Sequence, residues 1–241
     1  MNGAPFRVII HKSINPLIQS SPIRAITFDV GGTLIEPWPS VGHIYASVAA
    51  RHGLLNLPIE ILNRQFAAAW KNLAQFNYTR SEWFQLVSQS FSGIIETPLN
   101  EVLFAELYSH FGRPEAWRIF DDVIPTLEVL RSSGLRLGII SNWDERLRPL
   151  LHELKLAPYF HAIVISCEVG VCKPSAAIFQ QAAQELGAQP AEILHVGDSP
   201  AMDIEGADSA DFLSVLLSRG KETELPEINS LVELQPLASR Q

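Results

Sequence analysis

The sequence predicts an α/β protein: a parallel sheet with helices on its faces, into which an all-helical segment is inserted. Three observations carry this expectation. One β-rich run near the start ends in a Gly-Gly turn, and a long stretch of helical periodicity follows it. From Pro114 onward strand-like and helix-like runs alternate, the signature of a parallel sheet covered by helices.

The elements follow in order. Arg24–Val30 is a short β-rich run stopped by Gly31-Gly32, as a buried strand entering a tight turn should be. Between Ser40 and His110 the pattern is helical: Leu62, Phe66, Ala69, Leu73 and Phe76 recur at steps of four and three and share one helix face. Gly53, Pro58 and the segments 77–81 and 97–100 divide this stretch into four helices. No second strand is expected before Pro114. Ile124–Ser133 then reads as helix, Leu135–Ser141 as strand, Glu145–Leu154 as helix and Ala162–Cys167 as strand. Helix Ser175–Leu186, strand Ile193–Gly197, helix Ala201–Asp208 and strand Phe212–Leu217 complete the series. Arg24–Val30 is expected in the same sheet as the later strands. The expected division is a tail at 1–22, a core at 23–37 and 117–241, and a helical domain at 38–116.

Composition narrows the function. Of 241 residues 47% are hydrophobic and 14 are glycine, which excludes a disordered or collagenous chain. The net charge is −8, with 26 Asp and Glu against 18 Lys and Arg, so no broad positive field attracts nucleic acid or anionic lipid. Neither nucleic acid nor a membrane is expected as a partner. Cys167 and Cys172 are too few for a disulfide scaffold, and the apolar run before His11 is too short for a signal-peptide core. No stretch reaches the roughly 18 apolar residues of a membrane helix. A cytoplasmic protein is expected.

In an open parallel sheet, ligands bind beyond the carboxyl ends of the strands. The first strand delivers Asp29-Val30-Gly31-Gly32-Thr33 there, the second Ser141-Asn142, and a later one Gly197-Asp198-Ser199 with Asp203 following. Lys173-Pro174 lies in the loop after Ala162–Cys167. Each piece alone reads as a turn, a helix cap or a helix start. Their shared place at strand ends, around one crevice, is what marks them.

ITFDVGGTL, IISN, CKPS and HVGDSPAMDIEGA together resemble, in order, the four motifs of the haloacid dehalogenase (HAD) superfamily of hydrolases. The likeness runs from Ile23 to about Leu217, and the pattern is similar to the subgroup around haloacid dehalogenase-like hydrolase domain-containing protein 3. It implies a Rossmann-like core with a helical cap at 38–116, and a phosphatase acting on a small phosphorylated metabolite. Asp29 is then the nucleophile that forms an aspartyl-phosphate. Mg²⁺ is held by Asp29, the backbone carbonyl of Gly31 and Asp198. Ser141, the amide of Asn142 and Lys173 hold the phosphoryl oxygens, with Lys173 also facing the nucleophile. Asp203 orients a metal-bound water or Lys173, and Thr33 supports the first loop.

One position departs from that pattern. The family's phosphatases carry a second Asp two residues after the nucleophile, as the acid that protonates the leaving group; here Gly31 stands there. The carbonyl survives and the acid does not. Glu36 and His43, near the junction of strand and cap, are substitutes to weigh against a solvated carboxylate and an ordinary helix histidine. A phosphonatase-like reaction would need a cap lysine, for which Lys71 is the candidate. At ~100° per residue, however, Lys71 lies opposite the Leu62–Phe76 stripe. A third expectation is a protein that keeps the phosphate site without turnover. His195 reads as a packed or edge residue, Cys167 and Cys172 as inert thiols, and Trp70 and Trp83 as packing residues. Trp38 and Trp143 are candidates to line a substrate pocket. Asp211 stands where the family usually has Gly, a place Asp tolerates if the backbone is left-handed.

Overall fold

The computed structural model describes residues 22–73, 76–220 and 227–240. The expected tail lies outside them but for Pro22. Six parallel strands form the main sheet: β1 (Ala25–Phe28), β4 (Arg136–Ser141), β5 (Ala162–Ile165), β6 (Ile193–Gly197), β7 (Leu213–Leu217) and β8 (Glu227–Ile228), in the order β5-β4-β1-β6-β7-β8. The expected α/β architecture is present. β1 sits between β4 and β6, with Thr27 opposite Gly138 on one side and His195 on the other. All four of its residues are fully buried, as expected of a strand covered on both faces.

The four helices of the central stretch are α1 (Val41–Arg51), α2 (Ile59–Lys71), α3 (Arg80–Phe91) and α4 (Glu101–His110). Their starts are set by side chains that take the orphan amides of the first turn: Ser40 accepts from His43, Thr79 forms a reciprocal box with Glu82, and Asn100 accepts from Leu103. Later come α5 (Val123–Ser132), α6 (Leu147–Glu153), α7 (Ser166–Val169), α8 (Ala176–Leu186) and α9 (Glu205–Ser209). Gly187, left-handed at φ 58°, closes α8.

Several elements differ from the sequence pattern. β2 (Ile35–Pro37) and β3 (Trp117–Ile119) pair in a small second sheet, where no strand was expected before Pro114. Three residues are too few to show a period, and the partners lie far apart in sequence. The strand expected to reach Cys167 ends at Ile165, because Ser166–Val169 coils into one helical turn closed by left-handed Gly170. The helix expected at Ala201–Asp208 begins as a wide π turn, Pro200–Ile204, in which Asp203 and Ile204 both donate to the Ser199 carbonyl. Asp211 is left-handed at φ 61°.

The chain divides into two compact units. The sheet unit holds the described residues up to Leu34, Ile119–Asn142 and those from Leu156 on; the helical unit holds Ile35–Arg118 and Trp143–Lys155. The second segment of the helical unit, which includes α6, falls within the expected core at 117–241 and not within the expected helical domain at 38–116. Its side chains account for the difference. Arg146 donates to the Tyr108 carbonyl at 2.7 Å and lays its guanidinium on the Tyr108 ring, while buried Asp144 accepts from Trp83 Nε1 at 2.7 Å. Each unit has its own core, around Ile178, Phe179, Ala182 and Ile193 in the sheet unit and around Tyr45, Leu62, Phe91 and Phe104 in the helical one.

Candidate active site

The carboxyl ends of β1, β4 and β6 carry the chemistry. Asp29 follows β1 and stays in the ladder through its amide, which donates to the Val196 carbonyl at 2.9 Å. The chain then turns at Gly31-Gly32. Gly32 has φ 78°, and a Cβ there would stand 2.5 Å from Asp198 Oδ2, so only glycine lets the backbone pass that carboxylate. Thr33 is buried; its carbonyl accepts from Arg219, and its hydroxyl has no hydrogen-bond partner among the described residues.

Ser141, the last residue of β4, donates to Asp29 Oδ1 at 3.0 Å. Lys173 Nζ donates to the same oxygen at 2.7 Å and to Asp203 Oδ1 at 2.5 Å. The lysine is placed by its backbone: Asn142 Oδ1 accepts from the Lys173 amide at 2.7 Å, and Asn142 Nδ2 donates to the Lys173 carbonyl at 3.0 Å. This two-sided clamp by the Asn142 side chain was not foreseen from sequence. Asp203 accepts the Ser199 amide on Oδ2 at 2.9 Å and faces His195 Nε2 at 3.1 Å on Oδ1. Gly197 leaves the room for it, since a Cβ there would lie 2.2 Å from the Asp203 carboxyl carbon.

The electrostatics follow from burial. Burial raises the Asp29 pKa above the usual carboxylate range, and the Lys173 ammonium offsets only part of that rise. Burial also disfavours the Lys173 ammonium, but Asp203 and Asp29 outweigh it and hold the lysine above its ordinary value. For Asp203 burial is outweighed by Lys173 and His195, and its carboxyl is held well below the usual range. Burial pushes His195 down, so the ring is neutral at pH 7.

Asp29, Asp198 and Asp203 each offer a carboxylate oxygen within 4.8 Å of the others. Three carboxylates around one ammonium leave a local excess of negative charge with oxygen donors alone. That donor set fits a hard cation such as Mg²⁺. Asp203 already accepts from Lys173, His195 and Ser199.

The family model for haloacid dehalogenase-like hydrolases matches residues 23–211. The chain belongs to that family. Among its relatives, haloacid dehalogenase-like hydrolase domain-containing protein 3 of Danio rerio is 33% identical over 234 residues, covering 91% of this chain and 96% of the relative. A glyceraldehyde 3-phosphate phosphatase of Methanopyrus kandleri is 39% identical over 116 residues, 46% of this chain and 48% of that one. The crystal structure of a HAD phosphatase from Thermococcus onnurineus is 25% identical, with a TM-score of 0.66 over 89% of this chain and 97% of that chain. The family is thus a hydrolase family with a phosphatase among the homologues.

In this haloacid dehalogenase-like hydrolase, Asp29, Ser141, Asn142, Lys173, Asp198 and Asp203 come together in the sheet unit. Other sequence candidates have partners elsewhere. Glu36 accepts from Arg118, whose guanidinium also lies over Trp38, and His43 Nδ1 bonds Ser40 at 2.8 Å. Lys71 is exposed on α2, and Trp143 packs on Trp117. Trp70 and Trp83 stack on each other with Phe76 against Trp83. Neither Cys167 nor Cys172 is in a disulfide. His195 is packed, as read, but on an interior strand and directly against Asp203. Its sequence signal was a polar residue two before Gly197, on the same face of an otherwise apolar strand.

Proposed function

We propose that the protein is a magnesium-dependent phosphatase of small phosphorylated metabolites that works through an aspartyl-phosphate on Asp29, slowed by Gly31. One observation carries the reading: a single buried ammonium, Lys173, joins Asp29 and Asp203 while Ser141 donates to the same Asp29 oxygen. In this reading Asp29 attacks phosphorus, an acyl-phosphate O–P bond forms as the bond to the leaving group breaks with its electron pair, and the leaving group takes its proton from water. Water then attacks the phosphorus, breaking the Asp29–phosphorus bond and releasing inorganic phosphate. Lys173, Ser141 and the Asn142 amide hold the phosphoryl oxygens as negative charge moves from the nucleophile. Asp29, the Gly31 carbonyl and Asp198 would hold Mg²⁺, which supplies positive charge against those oxygens. Asp203 keeps Lys173 charged and in place, and Thr33 supports the loop. A reducing, cytoplasmic setting fits two cysteines that form no disulfide.

Gly31 sets the substrate preference. Acid–base assistance contributes typically 10²–10⁴ in rate, or about 3–5 kcal/mol of barrier. Without it, leaving groups that need a proton suffer most. Acetyl phosphate is therefore expected to turn over well ahead of alkyl phosphate esters, and Gly31→Asp to close the gap. Alkyl esters matching acetyl phosphate in the wild type would refute the role given to position 31.

The missing side chain at position 31 also favours a second reading, a phosphate-binding or interaction protein without turnover. Beryllium fluoride with Mg²⁺ tests binding, and turnover assays of wild type, Asp29→Asn and Gly31→Asp then separate the two. Wild-type turnover lost in Asp29→Asn supports the enzyme. Binding without turnover, with activity appearing only in Gly31→Asp, supports the silenced site.

A further inference from the structure

A row of polar side chains crosses the buried sheet. The register sets Thr27 on β1 beside His195 on β6, and His195 beside Ser214 on β7, all three fully buried in strands otherwise apolar. Buried polar groups are costly unless bonded. Each of these is bonded, and the bonds lead to the segment after β6: Ser214 donates to Asp208 at 3.0 Å, and His195 Nε2 meets Asp203 at 3.1 Å.

We infer that His195 is a positioning residue whose Nε2–H fixes the Asp203 carboxylate in the orientation that seats Lys173 against Asp29. The inference deepens the phosphatase reading and rests on it for its catalytic consequence. Asp203 sits in the wide turn Pro200–Ile204. Its carboxylate is oriented by donors. The Ser199 amide takes Oδ2, while Oδ1 is shared by His195 and Lys173. The histidine is itself anchored in the buried sheet: Nδ1 lies 2.9 Å from Thr27 Oγ1, and the Phe179 ring stands edge-on at 5.1 Å. An ionised Asp203 has no proton to give, so the proton of that contact belongs to Nε2. A neutral ring then has a bare Nδ1, which accepts from the Thr27 hydroxyl. Thr27, His195, Asp203, Lys173 and Asp29 thus form one continuous chain of hydrogen bonds from the centre of the sheet to the proposed nucleophile.

The first test needs neither metal nor substrate. In ¹⁵N-histidine-labelled, metal-free protein at pH 7, His195 should appear as the neutral Nε2–H tautomer; an Nδ1–H tautomer overturns the inference. The second test is kinetic, with acetyl phosphate and Mg²⁺. His195→Leu should lower kcat about 10–100-fold, the usual loss when a supporting partner is removed, with KM changed less than about twofold. His195→Gln, whose amide nitrogen can donate to Asp203, should recover most of the loss. Wild-type kcat in His195→Leu, or equal impairment in Leu and Gln, overturns the proposal. If His195→Leu does not fold, Thr27→Val takes its place: a several-fold loss of kcat with a mixed tautomer supports the chain, and wild-type values overturn it. If the wild type turns over no phosphate, the phosphatase reading falls separately. The inference then stands or falls on the tautomer and on the Ser199 amide, which should exchange at least about tenfold faster in His195→Leu than in the wild type once Asp203 is released.

Discussion

Lys173 has to satisfy two buried carboxylates at once, and the sign of its contribution to stability follows from that. Its own pKa is raised, so its contribution is full below the unfolded value of about 10.4 and is lost as pH climbs through the folded value. Asp203 is depressed, so its contribution is full above the unfolded value of about 3.9 and is lost as pH falls through the folded one. Asp29 runs the other way: burial raises it, and its ionisation detracts from stability as pH rises past the unfolded value. In Lys173→Met both carboxylates would behave as Asp29 does. Removing one partner of a buried ion pair costs about 3–5 kcal/mol. The metal-free variant should therefore melt well below wild type at pH 8 and recover much of the deficit at pH 5, where a carboxylate can take up a proton. Equal deficits at the two pH values in thermal melts would show that the ammonium is not what these carboxylates depend on.

At the level of elements, an ion pair ties the C-terminal segment to the start of α5. Asp122 accepts from both terminal nitrogens of Arg219, at 3.2 and 3.1 Å, and from the Ser230 hydroxyl and Leu231 amide, each at 2.8 Å. The same guanidinium lies 3.7 Å over the Phe120 ring and reaches the Thr33 carbonyl, although Arg219 is itself left-handed at φ 47°. Burial alone would raise the Asp122 pKa, but these donors outweigh it and hold the carboxyl below its ordinary range. The contribution is accordingly full above about pH 3.9 and lost as pH falls through the lower folded value. Asp122→Asn should lower the melting temperature at pH 7 and converge on wild type towards pH 3, with faster amide exchange in 227–237; a pH-independent difference would rule out the charge as the cause. Nothing in the sequence marked Arg219, because Ser-Arg-Gly after a strand is an ordinary turn and its partners lie 97 and 186 positions away. The regular elements were legible for the opposite reason. α8 carries the 3.6-residue period within itself, and α2 carries it over Leu62, Phe66 and Ala69 but ends at Lys71, before Leu73 and Phe76 of the expected stripe. β6 matches its expected bounds because five consecutive buried residues, Ile193–Gly197, run from a turn to Asp198. β2, β3 and the turn at Pro200 depend on partners or bond patterns with no local period.

For the molecule as a whole, the candidate site was legible because a parallel sheet brings the ends of β1, β4 and β6 together whatever lies between them in sequence. What sequence spacing could not show is the order of contacts: which carboxylate shares Lys173, that Asn142 clamps the lysine backbone, or that His195 backs Asp203. The chain has a net charge of −8, and three carboxylates converge within 4.8 Å against one ammonium. Like charges so close destabilise the folded state, and a bound divalent cation relieves them by mass action. At about a hundred times its Kd, Mg²⁺ should add about 2.7 kcal/mol of stability. For a chain of this size that corresponds to roughly 5–10 °C in melting temperature. Asp198→Asn separates this effect from general screening, because removing an oxygen donor should abolish the Mg²⁺-dependent rise and leave the response to NaCl unchanged. Differential scanning fluorimetry with Mg²⁺, and with NaCl at matched ionic strength, makes the comparison. An equal rise with NaCl, or a full Mg²⁺ shift in Asp198→Asn, would mean that Asp198 does not hold the ion.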